Sequence, residues 1–138
     1  MKSKIFFSCV LFCFFLVGCA SLQETGKKIW GSSISHLEAA RSSGKSFVVV
    51  LTPDATFAKI LELFKDTKVQ VYLKDPAKRY LAAMNFPGHV DTTEVGIFLT
   101  PQENNATKVE IASMSPGLVD QVTRFLDEGF KKKTEGKE

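Results

Sequence analysis

Apolar side chains recur along this chain with two periods, and the change from one to the other marks out its elements. Phe47 to Leu51 is a β-branched apolar run too short for a typical helix, and it predicts a central strand buried on both faces. Thr52-Pro53-Asp54 then reads as a helix start. Threonine caps, proline occupies the first position where its missing N–H costs nothing, and aspartate suits the positive end of the dipole. Phe57, Ile60, Leu61 and Phe64 follow at helical spacing and form one apolar stripe.

Period two takes over beyond residue 68. Val69, Val71 and Leu73 alternate with Gln70, Tyr72 and Lys74; Tyr80, Ala82 and Met84 alternate with Leu81 and Ala83; Val95, Ile97 and Leu99 alternate with Gly96 and Phe98; Val109 and Ile111 alternate with Lys108 and Glu110. Each set predicts a strand with one buried face. Asp75-Pro76, Pro87-Gly88 and Asn104-Asn105 supply residues that tolerate turn dihedrals between them. Ser115-Pro116-Gly117 opens a last helix whose inner stripe is Leu118, Val122, Phe125 and Leu126, with Lys131 to Lys133 at its negative end. Upstream, Ser35-His36-Leu37-Glu38 has capping-box spacing and predicts a short helix over 37–42.

The expected fold is therefore α+β: a β-α-β-β-β-β-α antiparallel sheet with helices packed on one face, preceded by a short helix. A sheet that is polar on its other face needs apolar cover on one side only.

The first residues have a different character. Met1-Lys2-Ser3-Lys4 is positively charged, Ile5 to Val17 carries no charge over 13 positions, and Leu16-Val17-Gly18-Cys19 closes the run. A span needs about 20 apolar residues to cross a bilayer, so this segment is short for one and has the layout of an export signal. Its end resembles the lipobox of bacterial lipoproteins. That resemblance implies cleavage before Cys19, a diacylglycerol group on its thiol, and membrane attachment through acyl chains. Two or three chains would anchor stably where one is marginal. Ala20 stands where the family's inner-membrane retention signal has an aspartate, so the resemblance implies a cell-envelope protein on the outer membrane, facing the periplasm.

Removing the signal changes the charge picture. Lys2 and Lys4 leave with it, so the 18 basic residues become 16 against 15 acidic ones over a mature chain of 120 residues, 138 less 18. A balance of +1 removes the electrostatic case for nucleic acid as a partner. Cys9 and Cys13 also leave, and Cys19 remains as the one mature cysteine, which precludes an intramolecular disulfide. The expected organisation is a signal peptide over 1–18, a lipidated tether over 19–31, a single α+β domain over 32–133 and a frayed tail over 134–138. Lys27, Lys28 and Trp30 at the end of the tether suit either an anionic bilayer surface or an edge of the core.

No catalytic constellation emerges. His36 and His89 stand apart with no cysteine partner, so no metal or other cofactor is expected. The serines cluster at caps and turns, and no G-x-S-x-G elbow or phosphate-binding loop occurs. Asp91 and Glu94 are close enough in sequence for paired-carboxylate chemistry, but they read as a loop before a strand. The chain is expected not to be an enzyme.

The order of elements over roughly 47–130, with a strand ending Lys74-Asp75-Pro76 and the alternating Glu94-Val95-Gly96-Ile97-Phe98, resembles the small domains of BamC-type envelope lipoproteins and other small lipoproteins of unknown function. It implies a fold and no transferable site residue. Two functions are carried forward. One is a lipid-anchored, non-catalytic protein-interaction module for an envelope protein partner in assembly or maintenance, with Tyr72, Leu81 and Phe98 on outer strand faces as its contact patch. The alternative is a carrier of a lipid or other apolar ligand between helices and sheet, suggested by Phe47, Phe57, Phe64 and Phe125.

Overall fold

The computed structural model describes residues 34–132; the predicted signal, the tether with Cys19, and the tail lie outside them. Helix α1 covers 34–39 and tightens into a 3-10 turn at Ala40–Ser43. Strand β1 is Lys45–Val49, helix α2 Pro53–Lys65, β2 Gln70–Asp75, β3 Tyr80–Met84, β4 Val95–Pro101, β5 Thr107–Ala112 and helix α3 Pro116–Lys132. Five strands form one antiparallel sheet in the order β1-β5-β4-β3-β2. The α+β class and the order of elements are as the patterning predicts.

Local chemistry sets the boundaries. Thr52 caps α2, its hydroxyl accepting from the Ala55 N–H at 3.4 Å, with proline in the first turn. The β4–β5 hairpin closes through Asn104 and Asn105, both at positive φ (57° and 55°), with Gln102 N–H donating to Ala106 O at 2.8 Å. Asparagine tolerates that left-handed region, and two such residues give the twist a hairpin requires.

The main core lies between one face of the sheet and the two long helices. Phe57, Ile60 and Phe64 of α2 and Leu118, Val119, Val122 and Leu126 of α3 pack on Leu81, Ala83, Val95, Ile97, Leu99, Val109 and Ile111. Phe125, expected in the inner stripe, lies at its margin. It is half-exposed and stacks on Phe64 with rings 3° from parallel and centroids 5.8 Å apart.

Further features depart from the sequence reading. Strand β1 is an edge strand, not a central one, because β2 to β5 form a meander and β1 joins it only by pairing with β5. Ser35 lies inside α1 and does not cap it. The regular alternation expected through β2 is broken by a bulge: Val71 pairs with Ala83 and Leu73 with Ala82, leaving Tyr72 as the extra residue. One inserted residue shifts the phase. Val71 consequently packs with the main core, while Leu73 joins Tyr72 and Tyr80 on the other side of the sheet.

That second side also carries apolar cover. The α2–α3 layer packs on one face as expected, and the short N-terminal helix lies on the opposite face. Ile34, Leu37 and Ala40 are buried there with Ala82, Phe98 and Ala112. Ala82, Gly96 and Ala112 are cross-strand partners and form a track of small residues across the sheet. Leu37 settles into it. A Cβ on Gly96 would stand 3.1 Å from Leu37 Cβ and 2.8 Å from Phe98 Cε2.

Candidate interaction surface

The sequence-derived patch of Tyr72, Leu81 and Phe98 is not a surface, and the reason lies in strand phase and in α1. Leu81 is 0% exposed, on the main-core face of β3 between its partners Lys74 and Ile97. Phe98 does lie on the opposite face, as alternation requires, but it is 5% exposed beneath α1 and the 3-10 turn. Tyr72 sits on the bulge, partly buried beside Leu73 and Tyr80. Leu81 thus lies on the other side of the sheet from Phe98. Cys19 lies outside the described residues.

A polar cluster borders the Phe98 cover. Arg41 Nη2 donates to Glu110 Oε2 at 2.7 Å, and its guanidinium carbon stands 4.6 Å from the centre of the Phe98 ring. Thr100 Oγ1 donates to the same carboxylate oxygen at 3.1 Å, and Lys108 Nζ is 3.5 Å from Oε1. Burial raises the Glu110 pKa, but the hydrogen bonds from Arg41 and Thr100 and the charges of Arg41 and Lys108 outweigh it, holding the carboxyl below its ordinary value. The Arg41–Glu110 pair fastens the 3-10 turn to β5, with Thr100 and Lys108 supporting the carboxylate.

The histidines and the acidic pair are also placed. His36 is exposed on α1. His89 Nε2 is 2.9 Å from Gln121 Oε1, and Gln121 Nε2 donates to Pro87 O at 3.2 Å, tying the β3–β4 connection to α3. Asp91 and Glu94 lie in that connection, where Asp91 O accepts from the Asn85 N–H at 3.1 Å. Among the described residues no three His, Cys, Asp or Glu side chains gather as metal ligands would.

Beside α2 and α3, a groove of about 160 Å³ is lined chiefly by Phe64, Val69, Phe86, Pro87, Val122 and Phe125. Its two polar neighbours are engaged elsewhere: Thr67 Oγ1 donates to Phe64 O at 2.7 Å, and Gln121 holds Pro87. The volume suits about one aromatic ring. The remaining phenylalanines of the carrier hypothesis fill space: Phe57 is in the main core, and Phe47 meets Phe130 with centroids 6.1 Å apart.

Phe125 of this groove is itself exposed, and the other exposed apolar side chains lie away from it. Val48 (61% exposed), Val50 (82%) and Leu51 cluster at β1 and its exit, while Val90 and Met114 stand singly in loops. Isolated apolar residues on a surface are ordinary, but three close together on a sheet edge are not. Among the described residues β1 pairs on one side only, with β5. The run Val48-Val49-Val50 was visible in sequence. Its composition does not by itself tell a central strand from an apolar edge, although Lys45 at its start is a residue edges favour.

No protein-family model matches this sequence, and no curated protein shows significant similarity to it.

Proposed function

We propose that this protein is a lipid-anchored lipoprotein of the cell envelope, attached through acyl chains on Cys19 to the outer membrane and facing the periplasm, where its domain acts as a non-catalytic protein-interaction module in envelope assembly or maintenance. The observation that carries the reading is the N-terminal layout: charged Lys2 and Lys4, 13 uncharged residues, then Leu16-Val17-Gly18-Cys19. Among the described residues the domain that follows leaves one edge of β1 unpaired, the kind of surface other chains use by strand addition. Among the described residues no helix is long and apolar enough to cross a membrane, which leaves attachment to the N-terminal segment in this reading.

The carrier reading is the weaker one. Side chains occupy the space between helices and sheet, and the groove of about 160 Å³ is smaller than the roughly 300 Å³ at which ligand pockets usually begin.

Intact-mass measurement tests the proposal on full-length protein produced in a bacterium and extracted from its membranes. The expected species begins at Cys19 and carries a covalent diacylglycerol-sized increment that Cys19→Ser abolishes. A chain that keeps Met1, or one cleaved elsewhere with a free thiol, would overturn the anchor. A non-covalent lipid adduct surviving under native conditions, with no bound polypeptide, would favour the carrier.

A further inference from the structure

We infer that the edge of β1 left unpaired among the described residues is a self-association site, at which two copies of the chain pair their β1 strands antiparallel across a twofold axis and continue one sheet into the other. The inference names a partner for the interaction module and rests on that reading for its biological setting, but its physical basis is the contrast between the two edges of the sheet.

Strand edges expose unpaired backbone groups, and proteins blunt them with bulges, charges and proline. The β2 edge has all three: the Tyr72 bulge, Lys74 and Asp75 within the strand, and Pro76 directly after it. Strand β1 has little of this. Its five residues keep an unbroken register with β5, from Lys45 opposite Ile111 to Val49 opposite Thr107. Lys45 is its only charge, and that ammonium is drawn to Asp120 of α3 at 2.7 Å. Beyond it the chain is uncharged through Pro53 and presents Val48, Val50 and Leu51 to solvent.

This pattern is self-complementary. A twofold pairing must be antiparallel, and one centred on Val48 sets Val48 against its own copy on the outer face. It sets Phe47 against the copy's Val49 on the inner face, an aromatic and β-branched pair of the kind that stabilises sheets. In that register residues 47–49 of the two strands pair directly, and each Lys45 falls opposite the copy's Leu51 just beyond the strand, so the two Lys45 residues lie roughly 20 Å apart by strand rise and no like charges meet. A charged partner peptide would find no opposite charge along Ser46 to Leu51, whereas a second copy matches its neutrality.

The test uses full-length protein in detergent. Val48→Cys is oxidised and the product mapped by peptide mass, with Val90→Cys, at another exposed valine, as the reference. A 48-to-48 disulfide that forms well ahead of any 90-to-90 link supports the pairing. In parallel, sedimentation of Val48→Lys, which brings two ammonium groups face to face at the axis, should show a dissociation constant raised about tenfold or more over the unsubstituted chain. Val90→Lys should leave it unchanged. Protein that sediments as a monomer throughout the micromolar range, or crosslinks at 90 as readily as at 48, overturns the inference. The mass of the same samples reports the Cys19 modification separately, so an unlipidated dimer and a lipidated monomer are told apart.

Discussion

Leu37 of the short N-terminal helix packs over Gly96 of β4, where a Cβ would stand 3.1 Å from Leu37 Cβ. The contact joins α1 to the middle of the sheet, and it works because Ala82 and Ala112, the strand neighbours of Gly96, are also small. Larger side chains here would lift the helix and uncover Phe98.

Gly96→Ala should therefore destabilise the domain by about 1–3 kcal/mol, the usual range for forcing extra volume into a packed site. The new methyl meets the Phe98 ring at 2.8 Å, and both Phe98 and Leu37 are buried. Chemical denaturation measures the loss, and limited proteolysis should show faster cleavage within 34–43. Unchanged stability would mean that α1 is not seated on the track.

The Arg41–Glu110 pair predicts a pH dependence. Since the folded-state pKa of Glu110 is lowered, its contribution is present above the unfolded value of about 4.3 and is lost as pH falls through the folded value. Glu110→Gln should cost about 1 kcal/mol near neutrality, as for a partly exposed ion pair with hydrogen bonds. The gap between the two melting curves should hold from pH 7 to about 5 and narrow below about 4. A gap that stays constant down to acid pH would show that the charge is not its source.

Thr56 offers a stabilising change. It is fully buried, and among the described residues its hydroxyl has no hydrogen-bond partner. Valine has nearly the same shape without the polar atom, so Thr56→Val should raise stability by about 1 kcal/mol, read from the denaturation midpoint at unchanged slope. A loss of stability would reveal a partner for the hydroxyl.

Leu81 and Val50 should respond in opposite ways. Leu81→Ala removes a fully buried side chain and should cost about 2–5 kcal/mol. Val50→Ala removes one that is 82% exposed and should stay within about 0.5 kcal/mol. Thermal melts of the two variants beside the parent chain decide it. Comparable losses would contradict the burial of Leu81 and the exposure of Val50.

Much of this architecture was legible in local pattern. The stripe from Phe57 to Phe64, the Thr52-Pro53 cap, the Asn104-Asn105 turn and the sets of alternating residues each depend on neighbours within a few positions, and short-range geometry then leaves few options. The α+β order follows from them. The resemblance of Leu16 to Cys19 to a lipobox is also a matter of adjacent residues; it lies outside the described residues, and the proposed localisation rests on it.

The contact surface was not legible, because it depends on which elements meet across long stretches of chain. Strand β1 became an edge only when β5, about 60 residues later, took its one paired side. Phe98 became buried only when α1 crossed the outer face, drawn by a row of small residues contributed by three separate strands. Leu81 and Phe98 lie on opposite faces and cannot share a patch, and a single bulge at Tyr72 moves Leu73 across the sheet. Local spacing determined what each segment is, whereas exposure belongs to a residue's neighbours in space, and only the tertiary structure chose those.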